Sequence, residues 1–343
     1  AEKADEILGS IKIVISNGCV TADIVSKLNN AKHVPSNAIT PLTLVHFSDI
    51  HADTLALKRI TSGIDALDAS VDDSICTGDI VSNTGGEIAS WWNPKILTCI
   101  GNHDSATYSG GAYNWTAISM ADRDAYYIAP FESNWGITHA AGTSYYYKDY
   151  ATQKVRLIVM DVMLYNDNGA EATAQTAWLE NLLADAITNN FHVVIAIHAP
   201  HGGATAENCS FSRHGQGAMP TNNDCNTPQS VIDVVAAKIS NGLKFVGYLV
   251  GHTHQDNIWD AENNGTQLMY CVTCAAVSQV AQWKNSDQYR NDTSDAFNIV
   301  TIDTQNTLVK IIRGGGADID DHMRTRKAIC FNYSTGQMVG EVL

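Results

Sequence analysis

The chain is poor in basic residues. Lys and Arg number 21 against 36 Asp and Glu among 343 residues, a formal charge of −15. Such a surface repels a polyphosphate backbone unless its cations are tightly grouped. The one tight group is Arg324, Arg326 and Lys327, so long duplex nucleic acid is excluded as a first-choice partner, while a small phosphate ester drawn to a cationic centre is not. Also missing is any apolar run long enough to cross a bilayer. With 45% hydrophobic and 17% charged residues the balance is globular, and a soluble chain is expected. No internal repeat or low-complexity tract is present, which leaves one main domain with appendages as the expectation for this length. Nothing in the sequence speaks to oligomeric state.

Cysteines are few and scattered, eight in all, and they do not read as a single disulfide framework. Cys76 and Cys99 each stand three residues before a candidate metal ligand at the end of an apolar run, and are expected to be small buried core residues. Cys209 and Cys225 bracket a polar loop and are expected to pair if the protein is exported. Ala1 fits a processed form, so an extracellular or periplasmic location stays open. Cys271 and Cys274 form a CxxC inside an apolar run, an unsuitable place for a redox motif or a zinc knuckle.

Three stretches are expected: an N-terminal extension over 1–41, a main domain over 42–313, and a strand-containing C-terminal extension over 314–343. Within the central stretch, hydrophobic periodicity predicts buried strands at Leu42–Phe47, Ser74–Cys76 and Ile96–Ile100, with a helix over Thr54–Leu67 between the first two. A helix is predicted around Thr116–Tyr126. Tyr145–Tyr150 and Val155–Asp161 read as paired strands, followed by a helix at Glu171–Thr188 whose apolar stripe is Trp178, Leu182 and Leu183, then a strand at Val193–Ile197. After a polar insertion over His201–Thr227 come a helix near Pro228–Ile239 and strands at Phe245–Val250, Leu268–Val277, Phe297–Ile302, Leu308–Ile312 and Ala328–Tyr333. Parallel βαβ units mixed with antiparallel pairs imply an α/β fold with mixed sheets.

The chemistry-bearing residues cluster behind those strands. Asp49 and His51 follow the first, Asp79 the second, Asn102 the third; His198 follows Val193–Ile197, and His252 and His254 follow Phe245–Val250. Loops at the carboxyl ends of strands in an α/β sheet form the crevice where ligands bind. Gly78, Gly101 and Gly251 each precede one of these residues, where a backbone turning beside a metal has least need of a side chain. Carboxylate, imidazole and amide oxygen without thiolate suit manganese, iron or zinc.

The segments Asp49-Ile-His51, Gly78-Asp79, Gly101-Asn-His-Asp104, His198 and Gly251-His-Thr-His254, in that order, resemble the calcineurin-like metallophosphoesterase family. The resemblance implies two packed mixed β-sheets flanked by helices, a four-layer α/β/β/α sandwich. It implies two divalent metal ions, manganese, iron, zinc or a mixed pair, one held by Asp49, His51, Asp79 and His254 and the other by Asp79, Asn102, His198 and His252, with Asp79 bridging. Two such cations about 3.5–4 Å apart generate a hydroxide and clamp the phosphoryl oxygens for in-line attack on a phosphate mono- or diester. By the same resemblance His103 faces the leaving oxygen as a proton donor rather than a ligand, with Asp104 orienting its ring. Ser82 stands where many relatives carry a second acidic residue. With His51 present and no tyrosine at that position, the tyrosinate-iron branch of purple acid phosphatases is not the match.

His201, Arg213 and His214, in the insertion after His198, are candidate substrate contacts. Asp161, at a strand end, is a candidate support for the site or a cap of the following loop. Two other readings compete with the enzyme: a binding or scaffold protein on the same fold, which would have lost ligands, and a nuclease, which would carry a basic groove. The ligand set is complete and the charge opposes the groove.

Overall fold

The structure, a computed structural model, describes residues 39–67, 71–82, 85–109, 112–114, 117–165, 169–199, 228–252, 257–263, 266–272, 297–314 and 328–340. His201, Arg213, His214, His254, Cys209, Cys225 and Cys274 lie outside these residues.

The first half runs β1 (Leu42–Phe47), α1 (Thr54–Leu67), β2 (Asp73–Cys76), β3 (Ile96–Thr98), the one-turn helix α2 (Asn102–Ser105), β4 (Thr107–Ser109), β5 (Ala112–Asn114), α3 (Met120–Tyr127), α4 (Glu132–Trp135), β6 (Thr138–His139), β7 (Tyr146–Tyr150) and β8 (Val155–Val159). A 3₁₀ turn at Val162–Tyr165 leads into α5 (Ala170–Asn189), β9 (His192–Ala196), α6 (Gln229–Ser240), β10 (Lys244–Val250), β11 (Asn257–Asn263) and β12 (Thr266–Val272). The last strands are β13 (Phe297–Asp303), β14 (Leu308–Gly314), β15 (Ala328–Asn332) and β16 (Gln337–Gly340).

Two seven-stranded sheets result, ordered β16-β15-β14-β13-β1-β2-β3 and β11-β12-β10-β9-β8-β7-β6. In the first, β1, β2 and β3 are parallel and the other strands antiparallel. In the second, β8, β9, β10 and β12 are parallel and both outer flanks antiparallel. The mixed two-sheet architecture expected from the sequence is therefore the one found. The strand-containing stretch beyond 314 contributes β15 and β16, which continue the first sheet.

Strands β1, β8 and β9 are buried along their whole length, which is why they read as largely apolar runs rather than alternating ones. Helix α1 covers the first sheet with Leu57, Ile60, Ile64 and Leu67, all buried, at the three-and-four spacing that keeps one face inward. The sheets are joined in the core by aromatics. Tyr146 is fully buried, donates its hydroxyl to the Thr98 carbonyl across the sheets at 2.8 Å, and packs 5.7 Å from Trp135. A buried hydroxyl with a partner adds packing without the cost of a stranded donor. Cys76 and Cys99 are buried core residues, as expected.

Several elements differ from expectation. The buried stripe of α5 is Ala172, Gln175, Leu179, Leu183 and Ala186; Trp178 and Leu182 lie half-buried beside it. Trp178 instead packs its ring 4.7 Å from Tyr145. The hairpin β4–β5, the polar strand β11 and the strand β16 have no apolar run to betray them. Helix α3 starts four residues later than the predicted helix, at Met120, because Ser119 caps it by accepting the Asp122 N–H at 3.1 Å.

Candidate metal centre

The carboxyl ends of β1 and β2 continue side by side past the sheet. Asp49 N–H donates to the Gly78 carbonyl at 2.9 Å, His51 N–H to the Asp79 carbonyl at 2.9 Å, and Ala52 N–H to the Ile80 carbonyl at 2.7 Å. This ribbon is bent: Asp49, His51, Ala52 and Asp79 have φ of 57°, 48°, 59° and 52°, and His252 has 68°. Left-handed backbone costs a non-glycine residue on the order of 1–3 kcal/mol and persists only where its surroundings hold it. Gly78 lies between them at φ 99°, where a Cβ would come within 2.6 Å of the His198 ring. The loop packs so closely on the ring that only glycine fits.

Asp79 is the centre of the cluster and is almost wholly buried. Its Oδ1 accepts the His103 N–H at 2.9 Å. Its Oδ2 lies 3.4 Å from His198 Nε2, 3.8 Å from His51 Nε2 and 4.0 Å from His103 Nε2. Asp49 Oδ1 lies 4.0 Å from His51 Nε2, and its Oδ2 accepts the His252 N–H at 3.0 Å. Asn102 Oδ1 lies 3.0 Å from both His198 Nε2 and His252 Nδ1. Asp49, His51, Asp79, Asn102, His198 and His252 are thus brought together from the ends of five strands.

The donor set fits divalent cations. His198 Nδ1 is 2.7 Å from the Thr77 carbonyl; a carbonyl only accepts, so that nitrogen carries a proton and Nε2 is the ring nitrogen turned to the cluster. His198 Nε2 and His252 Nδ1 both converge on Asn102 Oδ1, a grouping of imidazole nitrogens and an amide oxygen that suits a borderline cation. Two groups of donors, His51 with Asp79 and His103, and Asp79 with His198 and His252, each lie within 4.8 Å of one another and share Asp79.

The electrostatics call for positive charge at the same place. Burial alone would raise Asp79, but the charges of His198, His103 and His51 outweigh it and hold the carboxyl well below its ordinary range. Burial alone would lower His198, yet Asp79, with help from Asp49, pushes it up to about 9.

The structure corrects one expected contact. Asp104 is wholly buried, and its carboxylate accepts the N–H groups of Ile80 at 2.8 Å, Val81 at 3.0 Å and Gly101 at 2.9 Å. It fastens the start of α2 to the Asp79 loop. The ring of His103 is held instead by the Ser82 carbonyl, against its Nδ1. Ser82 also donates its hydroxyl to the His51 carbonyl. A backbone carbonyl has no signature in sequence, so this contact was not legible there. Burial, then the Asp79 charge, push Asp104 up to about 7. His51 and His103, 10% and 19% exposed with rings 4.7 Å apart, form the open side of the cluster; His198 and Asp49 form its closed floor.

A family model for calcineurin-like phosphoesterases matches residues 42–256. No curated protein matches the chain. Among solved structures, a dimetal phosphatase from Danio rerio is similar at 11% identity, over 82% of this chain and 98% of that one, with a TM-score of 0.48.

Proposed function

Because the chain belongs to the calcineurin-like phosphoesterase family, we propose that it hydrolyses a small phosphate mono- or diester at a dinuclear centre formed by Asp49, His51, Asp79, Asn102, His198, His252 and His254. The observation that carries the proposal is the sharing of Asp79 between two donor groups, His51 with His103 on one side and His198 with His252 on the other. In this reading Asp49, His51, Asp79 and His254 hold one cation, and Asp79, Asn102, His198 and His252 the other. When bound, the cations supply Lewis acidity toward the phosphoryl oxygens and lower the pKa of the attacking water.

The chain's own residues do the rest. The Asp79 carboxylate neutralises both sides at once, and the Thr77 carbonyl holds His198 so that Nε2 faces inward. His103 has its Nδ1 proton committed to the Ser82 carbonyl, so Nε2 is the nitrogen that gains or loses a proton. That nitrogen lies on the open side, where a departing oxygen can take its proton. His201, Arg213 and His214 remain proposed substrate contacts. Among the described residues no helix is long and apolar enough to cross a membrane.

The test is a hydrolysis screen over alkyl and aryl mono- and diesters, with chain stripped of metal and reloaded with manganese, zinc or iron. Turnover that requires metal and is abolished by chelation supports the proposal. Absence of turnover with every metal and ester contradicts it.

A further inference from the structure

Helix α2 is a single turn, too short to hold its own direction, since helix formation begins to repay its nucleation only over several turns. Yet it carries Asn102 and His103. Asp104 fastens its start to the Asp79 loop, and α3 contacts it from behind. Arg123 and Tyr127 stand four residues apart on α3, hence on one face, and both are buried.

Both reach α2. Arg123 Nη1 donates to Ser105 Oγ at 2.9 Å and to the Ile118 carbonyl at 2.6 Å, while Nε donates to Asp161 Oδ2 at 2.7 Å. The Tyr127 hydroxyl donates to the Asp104 carbonyl at 3.3 Å and accepts the Gly86 N–H at 3.1 Å. The Tyr127 carbonyl accepts from the Thr98 hydroxyl at 2.7 Å, which ties α3 to β3.

The far end of this chain of contacts is firm. Asp161, fully buried just past β8, also accepts from Ser144 Oγ and from the Met163 N–H at 2.8 Å. Its own backbone is bonded both ways by the Gln175 amide at 2.8 Å. A buried ion pair is typically no more stabilising than apolar residues of the same volume, so fold stability is a poor account of why Arg123 and Asp161 stand here. Geometry is a better one: the planar guanidinium fork serves Asp161, Ser105 and Ile118 at once, which an ammonium on a flexible stem does not.

We infer that the Arg123–Tyr127 face of α3, anchored on Asp161 just past β8, is the positioning brace of the site: it sets the direction in which α2 presents His103 and Asn102. Arg123, Tyr127, Ser105 and Asp161 are positioning residues and touch no reacting atom. The inference rests on the proposed role of His103 at the leaving group. A displacement of about 1 Å at such a group costs up to 10²-fold in rate.

Ser105→Ala cuts the link from Arg123 to α2 and leaves the Arg123–Asp161 pair intact. Arg123→Met alone strands a buried Asp161, so it is made together with Asp161→Asn. Each variant is loaded with zinc and compared with the native chain in kcat and KM on an alkyl phosphate and on 4-nitrophenyl phosphate, in melting midpoint, and in solvent exchange of the His103 Nδ1 proton by nitrogen-15 NMR. The expected result is a fall in kcat on the alkyl ester on the order of tenfold or more, a smaller fall on the nitrophenyl ester, little change in KM, and faster exchange of the His103 proton. Folded variants that keep the native ratio of alkyl to nitrophenyl turnover and the native exchange rate overturn the brace. A native chain inert on both esters overturns the proposed function instead, and the exchange rate then decides the brace alone.

Discussion

Strands β2 and β9 each have a titratable residue of the same type at both ends, and the two ends behave oppositely. On β2, Asp73 opens the strand and Asp79 follows it; on β9, His192 opens the strand and His198 follows it. Burial raises Asp73 against the pull of Lys148, whereas Asp79 is held well below its ordinary range. Burial draws His192 down to about 4, while His198 is pushed up to about 9.

Residue type is shared and burial is deeper at the closing ends, which by itself would push each pair the other way, so the neighbours decide. At the opening end Asp73 meets Lys148 Nζ at 2.6 Å and the Tyr150 hydroxyl at 2.7 Å, and the Tyr333 hydroxyl lies 2.5 Å from His192 Nδ1. These contacts clamp the two sheets together. At the closing end acids and imidazoles face one another, and left-handed backbone gathers at Asp49, His51, Ala52, Asp79 and His252. Elsewhere among the described non-glycine residues it occurs at Lys154, Asn190 and Thr307, in turns and at the end of α5. One end of the strands is built for stability and the other for charge.

The comparison breaks most visibly at Asp79. Asp79→Ala removes the carboxylate shared by the two donor groups, and turnover should fall by at least about 10³-fold with loss of most bound metal, read by elemental analysis beside activity. The next effect belongs to His103. His103→Gln should lose roughly 10²–10⁴-fold on alkyl phosphates and far less on nitrophenyl phosphate, whose leaving group departs unaided. Metal content should survive. A large fall in metal would make His103 a ligand, as its place beside His51 and Asp79 permits.

At the opening ends the effects are on stability. The folded state keeps His192 neutral down to about pH 4, whereas an unfolded histidine takes up a proton below about pH 6.5. This stability is therefore whole above about pH 6.5 and lost as pH falls toward 4. The loss is on the order of 1–2 kcal/mol after allowance for screening near the strand end. His192→Gln should flatten the melting midpoint across that window relative to the native chain. Smallest on turnover is Asp73→Asn, which should leave hydrolysis nearly native while costing about 1–2 kcal/mol of stability, because Lys148 loses its charged partner. Denaturant unfolding beside an activity assay separates the two effects.

The contrast also explains what the sequence disclosed. Asp49, His51, Asp79, Asn102, His198 and His252 were legible because each follows an apolar run, and glycines stand before three of them where the backbone turns. Asp73 and His192 carried no such punctuation and fell one residue before the predicted strands. The buried strands announced themselves through largely apolar runs. Strand β11, whose residues are Asn-Ile-Trp-Asp-Ala-Glu-Asn, lies at the sheet edge, where pairing with β12 on one side suffices and polar residues are tolerated. Asp161 was singled out as a strand-end support, but its partner Arg123 was not, since a buried guanidinium inside a short polar helix looks like a solvated one until the fold closes over it. The holding of His103 by a carbonyl rather than by Asp104 is backbone geometry, which residue identity does not encode.

The central claim is that the closing ends of these strands hold two cations across Asp79. Its most direct test is the metal stoichiometry of the native chain and of Asp79→Asn, by equilibrium dialysis against manganese with hydrolysis assayed on the same samples. The account predicts two ions per native chain with metal-dependent phosphoesterase activity, and in the variant loss of at least one ion together with the activity. A native chain that binds no manganese at millimolar concentration, or an Asp79→Asn chain that keeps both ions and native turnover, would contradict it.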